Sequence, residues 1–341
     1  MNPPPANPFT HRKMIDSEEA FSGRHRELAN ILARVRNGNS VSVTGERRIG
    51  KSSLLFHLFL TGNRRLDDLS RQHFRLAYLD LLDARTRTPE DFAKQVLDRF
   101  DLPGADAGRL QTNPLAALAD ALETHKGQPL PQPVLAGFSQ GGAARLPSAA
   151  APRLILLLDE FEEITHHKDL FTDQFLEALR SLCNGGLLTL VVVSKHSLKE
   201  LTDRGDLTSP FWNIFTSQPL GEFVQDSSLN EVADFLRRWD EFSPTAAERT
   251  LLQHWRFRHP LKLQVVSFWV LQNRELALPM RKLKQEIENE MMSYFRSNTE
   301  KMSRWGKRNA PKLPGAISAM TKWVGEQVGN LGQIFKHLNG G

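Results

Sequence analysis

One cysteine, Cys183, stands among 341 residues, so neither an internal disulfide nor a cysteine-based zinc site can be built from this chain. That scarcity suits a reducing, cytoplasmic compartment. No run approaches the ~18 apolar residues of a membrane span. The opening stretch, MNPPPANPFTHRKMIDSEEAF, holds nothing like the apolar core of a signal peptide. A soluble protein is expected. Charge of one sign is scarce too, except at one end. Arg281 to Gly341 carries 11 Lys/Arg and 5 Asp/Glu (11 − 5 = +6), which leaves about −1 of the total +5 for the rest.

What the chain does have is a phosphate cradle. VSVTGERRIGKSSLLFHL, residues 41–58, places Gly45-Glu46-Arg47-Arg48-Ile49-Gly50-Lys51-Ser52 between a β-branched run and an apolar stretch of helical spacing. This is the Walker A spacing G-x-x-x-x-G-K-[ST] in its required strand–loop–helix setting. Backbone N–H groups of such a loop wrap phosphates, and the helix N-terminus adds partial positive charge. Lys51 then reaches the β- and γ-phosphates and the Ser52 hydroxyl ligates Mg²⁺. Ser53 comes next, in the first helical turn.

A P-loop needs an acidic strand end as its second half. RLILLLDEFEE, residues 153–163, is a continuous aliphatic strand closing on Asp159-Glu160, as a parallel strand buried on both faces would. Asp159 is read as the Mg²⁺ residue, acting through water, and Glu160 as the base that activates water. Asp80, in FRLAYLDLLD, is read as the end of a neighbouring strand. A further strand, LLTLVVVSKHSL, ends at Ser194-Lys195, and Ser194 is the candidate γ-phosphate sensor.

Two tempting patterns are weaker. GFSQG, residues 137–141, matches the G-x-S-x-G elbow, but QPLPQPVLA before it is no strand and Pro147 interrupts the segment after it. His166-His167 point apart as neighbours, so a metal there would need ligands from elsewhere.

The order strand, P-loop, helix, strand, helix, acidic strand, helix, strand predicts an α/β, three-layer P-loop NTPase fold: a parallel sheet with helices on both faces. An all-α, C-terminal helical lid and a helical tail complete the chain. The expected boundaries are an N-terminal arm over 1–20, the ATPase domain over 21–220 with a flexible insertion over 103–152 that is Pro/Gly/Ala/Ser-rich from about 127, the lid over 221–298 and a basic, amphipathic tail over 299–341. Within the insertion a short helix is expected around Pro114 to His125. In the lid, Ser243 as N-cap with Pro244 at the first position marks one helix start. All six tryptophans lie at or after Trp212, where they suit a core or an interface. In the tail, Ile317, Met320, Val324, Val328, Leu331, Phe335 and Leu338 form a heptad-like stripe that either docks on the lid or meets a partner helix, another copy or a membrane surface.

NPF (Asn7 to Phe9), FSGRHREL (Phe21 to Leu28), GERRIGKSSLL, LLLDEFE, SPFWNIF (Ser209 to Phe215) and RHPLKLQ (Arg258 to Gln264) occur in one order. The set resembles the bacterial and archaeal STAND-like P-loop ATPases, relatives of AAA+ and origin-recognition ATPases. The resemblance implies that Gly23 and Arg24 sit beside the adenine and that His259-Pro260 bring a lid helix near the phosphates. It departs at Arg258, where the family usually has glycine, and His259 also reads as a plain helix-start residue before Pro260.

ATP with Mg²⁺ is the expected cofactor, since no base-reading N-K-x-D motif of GTPases is present. The functional expectation is a slow, regulatory ATPase: a molecular switch whose nucleotide state governs homo-oligomerisation or a separate effector, through the lid or the C-terminal helix. The competing expectations are a DNA-associated ATPase, such as a loader or transposition regulator, and a nucleotide-binding scaffold without turnover.

Overall fold

The structure is a computed structural model and describes residues 7–9, 11–69, 73–102, 106–126, 152–204, 208–225, 229–246, 248–249 and 258–309. The chain divides into two compact units: residues 15–221, and residues 1–14 together with 222–341.

The first unit is a five-stranded parallel sheet between helices. Its elements run α1 (His25–Arg36), β1 (Ser40–Gly45), α2 (Lys51–Leu69), β2 (Phe74–Asp80), α3 (Pro89–Phe100), α4 (Ala107–Thr112), α5 (Pro114–His125), β3 (Arg153–Asp159), α6 (Glu162–His166), α7 (Asp173–Asn184), β4 (Thr189–Ser194), α8 (Leu198–Arg204) and β5 (Phe215–Leu220). The strand order is β2-β3-β4-β1-β5, all parallel, so β4 lies between the acidic strand and the P-loop strand.

Side-chain alternation on the strands builds two cores. Leu154, Leu156 and Leu158 of β3, with Leu190 and Val192 of β4, pack with Phe92, Leu118 and Leu176 from α3, α5 and α7. Ile155, Leu157, Val191 and Val193 face the other way, onto Leu28 and Leu54 of α1 and α2. Both faces are covered, which is why these strands read as unbroken aliphatic runs. Helix starts obey local chemistry. Thr88 caps α3 by accepting from the Asp91 N–H, Asn113 caps α5 by accepting from the Ala116 N–H, and each is followed by a proline.

In the second unit the residues read as an arm contribute to the core. Phe9, 1% exposed, stacks on Trp239 at 5.1 Å and lies 5.8 Å from Phe235, among side chains of α9 (Glu231–Arg237), α10 (Pro260–Leu276) and α11 (Met280–Asn309). Asn7 donates to the Phe268 carbonyl, His11 bonds Glu290, and the Trp239 indole donates to Ser267. One helix start differs from the expected one. Ser243 has φ 46 and ends a 3-10 turn, while Thr245 and Glu248 exchange bonds as a capping box ahead of a helix beginning at Ala246. The reciprocal bonding of Thr-x-x-Glu satisfies two orphan N–H groups, which a serine before proline does not match. The GFSQG segment and the stripe from Ile317 to Leu338 lie outside the described residues.

Candidate active site

The loop between β1 and α2 is shaped by two glycines needed for opposite reasons. A Cβ on Gly45 would come within 2.6 Å of the Leu220 carbonyl, so crowding by β5 excludes any side chain there. At Gly50 there is room, but φ is +96, a conformation that favours glycine. Arg48 also has positive φ, at 66, the mark of a loop bent to turn its amides inward.

Lys51 donates to the carbonyls of Gly45 at 2.9 Å and Glu46 at 3.0 Å. Those two bonds aim the ammonium along the loop and use two of its three N–H groups. Burial lowers the Lys51 pKa, opposed by the carboxylates of Glu162, Glu160 and Asp159. Ser53, one residue past Ser52, accepts a hydrogen bond from the Ile15 N–H at 2.9 Å.

The acidic half arrives from β3. Asp159 is 3% exposed and accepts two hydrogen bonds: from Tyr78 Oη at 3.0 Å to Oδ2, and from the Glu160 N–H at 3.0 Å to Oδ1. Burial raises its pKa, and the Ser52 hydroxyl, Tyr78 and the Glu160 N–H oppose the rise. Asp80 stands opposite Asp159 in the β2–β3 register, at the end of the neighbouring strand as the sequence suggested. Glu160 turns out of the strand with φ 52, and its pKa is raised by burial first, then by Glu162 and Asp159.

The Ser52 hydroxyl, at the start of α2, and the Asp159 carboxylate, which it influences from the end of β3, are two hard oxygen ligands. They fit Mg²⁺, which commonly takes one or two protein oxygens and leaves its other positions to water and phosphate. Among the described residues no group of three or more His, Cys, Asp or Glu could hold a metal by itself. His166 and His167 both lie beside Glu163.

The remaining candidates have different surroundings. Ser194 is buried at the end of β4 and donates its hydroxyl to the His196 carbonyl at 2.6 Å. Gly23 and Arg24 both have positive φ. The Arg24 guanidinium is 2% exposed, donates to Glu27 at 3.1 Å and reaches the Ile49 carbonyl at 3.0 Å, which ties it to the P-loop backbone. His259, in the helical unit, is the N-cap of α10: its Nδ1 accepts from the Leu261 N–H at 3.2 Å, with Pro260 at the first helical position.

Two residues escaped the sequence reading. Tyr78 lies one alternation before Asp80 on β2, close enough for an aromatic side chain to reach the neighbouring strand. Glu162 sits three residues past Asp159, inside the quoted acidic run, and its Oε1 accepts the Lys195 N–H.

Residues 34–202 match the family model described as AAA domain. Over those residues the chain carries an AAA-type P-loop ATPase domain. Among solved structures, this AAA+-related chain is similar to the Walker-type ATPase PABY2304 of Pyrococcus abyssi, at 16% identity and a TM-score of 0.55, over 87% of this chain and 81% of that one. It is also similar to the ORC2 protein of Aeropyrum pernix in its ADPNP-ADP complexes, at 13% identity and a TM-score of 0.55, over 83% of this chain and 71% of that one. At such identities the likeness is one of fold. No curated protein matches the sequence significantly. Among the described residues no helix is long and apolar enough to cross a membrane.

Proposed function

We propose that this AAA+-related chain binds ATP with Mg²⁺ and hydrolyses it slowly, as a STAND-like switch whose nucleotide state governs self-association or the engagement of a partner protein. The carrying observation is the Walker A loop, with Lys51 bonded to the Gly45 and Glu46 carbonyls, beside the acidic strand end at Asp159-Glu160, whose carboxylates act on that ammonium. Loop amides from Glu46 to Ser53 hold the phosphates, and Lys51 turns its remaining N–H toward the β- and γ-oxygens. Ser52 and Asp159 would hold Mg²⁺, which would supply positive charge to the same oxygens. Glu160 accepts a proton from the attacking water. Ser194, bound to the His196 carbonyl, is the γ-phosphate sensor candidate. Gly23 and Arg24 act near the nucleotide through the loop backbone, and His259-Pro260 are the lid contribution.

The switch reading draws on chain connectivity. The sheet unit begins at Ile15, directly after the helical unit's Met14, and the Ile15 N–H bonds Ser53 next to Ser52. Ser53, next to Ser52, is thus bonded to the residue at which the sheet unit begins.

The test is mass in solution without nucleotide, with ADP and with a non-hydrolysable ATP analogue, alongside ATP turnover. A nucleotide-dependent change of assembly is expected, and one mass in all three states refutes the switch. The rival DNA-associated reading rests on the basic balance beyond Arg281. Tight, ATP-dependent binding to duplex DNA that falls steeply with salt would put that reading first.

A further inference from the structure

Beyond the paired segment of β3 and β4, which ends at Leu158↔Val192, two hydrogen bonds continue the contact between the chains leaving these strands. The Phe161 N–H donates to the Val193 carbonyl at 3.0 Å, and the Lys195 N–H donates to Glu162 Oε1. The first is backbone to backbone. The second uses a carboxylate in place of a carbonyl, a charge-assisted bond stronger than a ladder bond. Just before them, between Leu158 and Phe161, stands Glu160, in a left-handed conformation that non-glycine residues adopt only where the surroundings enforce it.

Glu162 is an unusual residue for a merely structural tie. It is 9% exposed, and its Oε2 is buried with no hydrogen-bond partner. Burying a carboxylate with an unpaired oxygen is costly, so an apolar residue would serve stability better. The charges around it belong to the reaction centre: Glu162 acts on Lys51 more strongly than Glu160 or Asp159 does, and it is the foremost charged neighbour of Glu160.

We infer that Glu162 is a positioning residue. Its carboxylate clamps the Ser194–Lys195 end of β4 to the turn that carries Glu160, and so fixes base and sensor in one register. This rests on the ATPase reading above. Binding of nucleotide, made through the P-loop amides and Lys51, does not need the clamp; hydrolysis does.

The test compares Glu162→Ala and Glu162→Gln with the parental full chain by three measurements. These are amide hydrogen exchange at Lys195, ATP affinity by titration, and single-turnover hydrolysis. In Glu162→Ala, exchange at Lys195 is expected to rise about tenfold or more as the bond is lost. Turnover should fall about 10–100-fold, as for a misplaced catalytic group, with ATP affinity within about threefold. Gln keeps an oxygen acceptor, so Glu162→Gln should recover the protection and most of the rate. The proposal is overturned if Lys195 exchange is unchanged in Glu162→Ala. It is also overturned if affinity and rate fall together and Gln rescues neither. A parental chain that binds but never hydrolyses ATP would refute the ATPase reading, while the exchange measurement still decides the clamp.

Discussion

Tyr78 donates its hydroxyl to Asp159 Oδ2 at 3.0 Å, across the β2–β3 boundary, and the two residues are separated by 81 positions in sequence. The bond favours the ionised carboxylate and opposes the burial that raises the Asp159 pKa. In Tyr78→Phe the opposition weakens, so protonation of Asp159 begins at higher pH. The acid limb of the pH–rate profile should therefore move upward, with the two proteins converging toward alkaline pH. Superimposable acid limbs would show that Tyr78 does not tune Asp159.

The roles proposed for Lys51 and Glu160 are separable by mutation. Lys51→Ala should lose ATP binding; an unchanged affinity would refute the P-loop assignment. Glu160→Gln should bind ATP as the parent does, hold the closed or assembled form and lower turnover by about 10²–10⁴-fold, the range of a lost general base. Turnover at the parental rate would mean that another group activates water.

The Arg24–Glu27 pair is buried, at 2% and 8% exposure, and Arg24 also holds the Ile49 carbonyl. Removing one member leaves an uncompensated buried charge, so Arg24→Ala should lose about 3–5 kcal/mol in urea unfolding. Replacing both, Arg24→Met with Glu27→Met, should recover most of that stability but not the anchorage of the P-loop. ATP affinity therefore stays below parental in the double variant. Full recovery of affinity would make the pair purely structural.

His57 offers a pH signature of the fold. Burial, and then the Arg65 charge, lower its pKa to about 4, and its ring stacks on Phe21 at 4.0 Å. The unfolded chain takes up this proton near the ordinary value of 6.5, whereas the folded chain resists it until about 4. Stability from a neutral His57 is thus fully present above pH 6.5 and is lost as pH falls toward 4. His57→Phe keeps an aromatic ring that cannot be charged, and should flatten the fall in Tm over that window. An identical fall in both proteins would assign the acid sensitivity to other groups.

Phe9→Ala should cost about 3–5 kcal/mol in the helical unit, as for other fully buried phenylalanines. Limited proteolysis should then cut the helical unit first. Unaltered resistance there would mean that the site collapses around the lost ring.

The parts of the site that were legible share one property: their chemistry is local. Gly45, Gly50, Lys51 and Ser52 follow one another because the Walker A pattern lies in a single loop, and Asp159-Glu160 announce themselves at the end of an unbroken aliphatic strand. The sandwich was legible for the same reason, since doubly buried strands write continuous apolar runs. Contacts made by tertiary placement were not. Nothing near Tyr78 signals Asp159, and nothing in FSGRHREL says that Arg24 turns to the Ile49 carbonyl. Glu162 was in plain sight within DEFEE, but only its burial and its bond to Lys195 separate it from a solvated acid. At Ser243 two capping signals stood two residues apart, and the reciprocal one at Thr245 and Glu248 prevailed.

The helical unit is assembled from both ends of the chain, and that has a cost in time. Asn7 reaches Phe268 across 261 residues, and Phe9 finds its place only against Trp239. During synthesis the first segment emerges long before its partners, so its phenylalanine waits in water while the whole sheet unit is made and folds. Closing so long a loop is slow, and folding speed falls as contacts grow more distant in sequence. The sheet unit should therefore mature first, as an autonomous early product. The helical unit should appear as a later kinetic phase, and deletion of residues 1–14 should abolish that phase while leaving the early one unchanged.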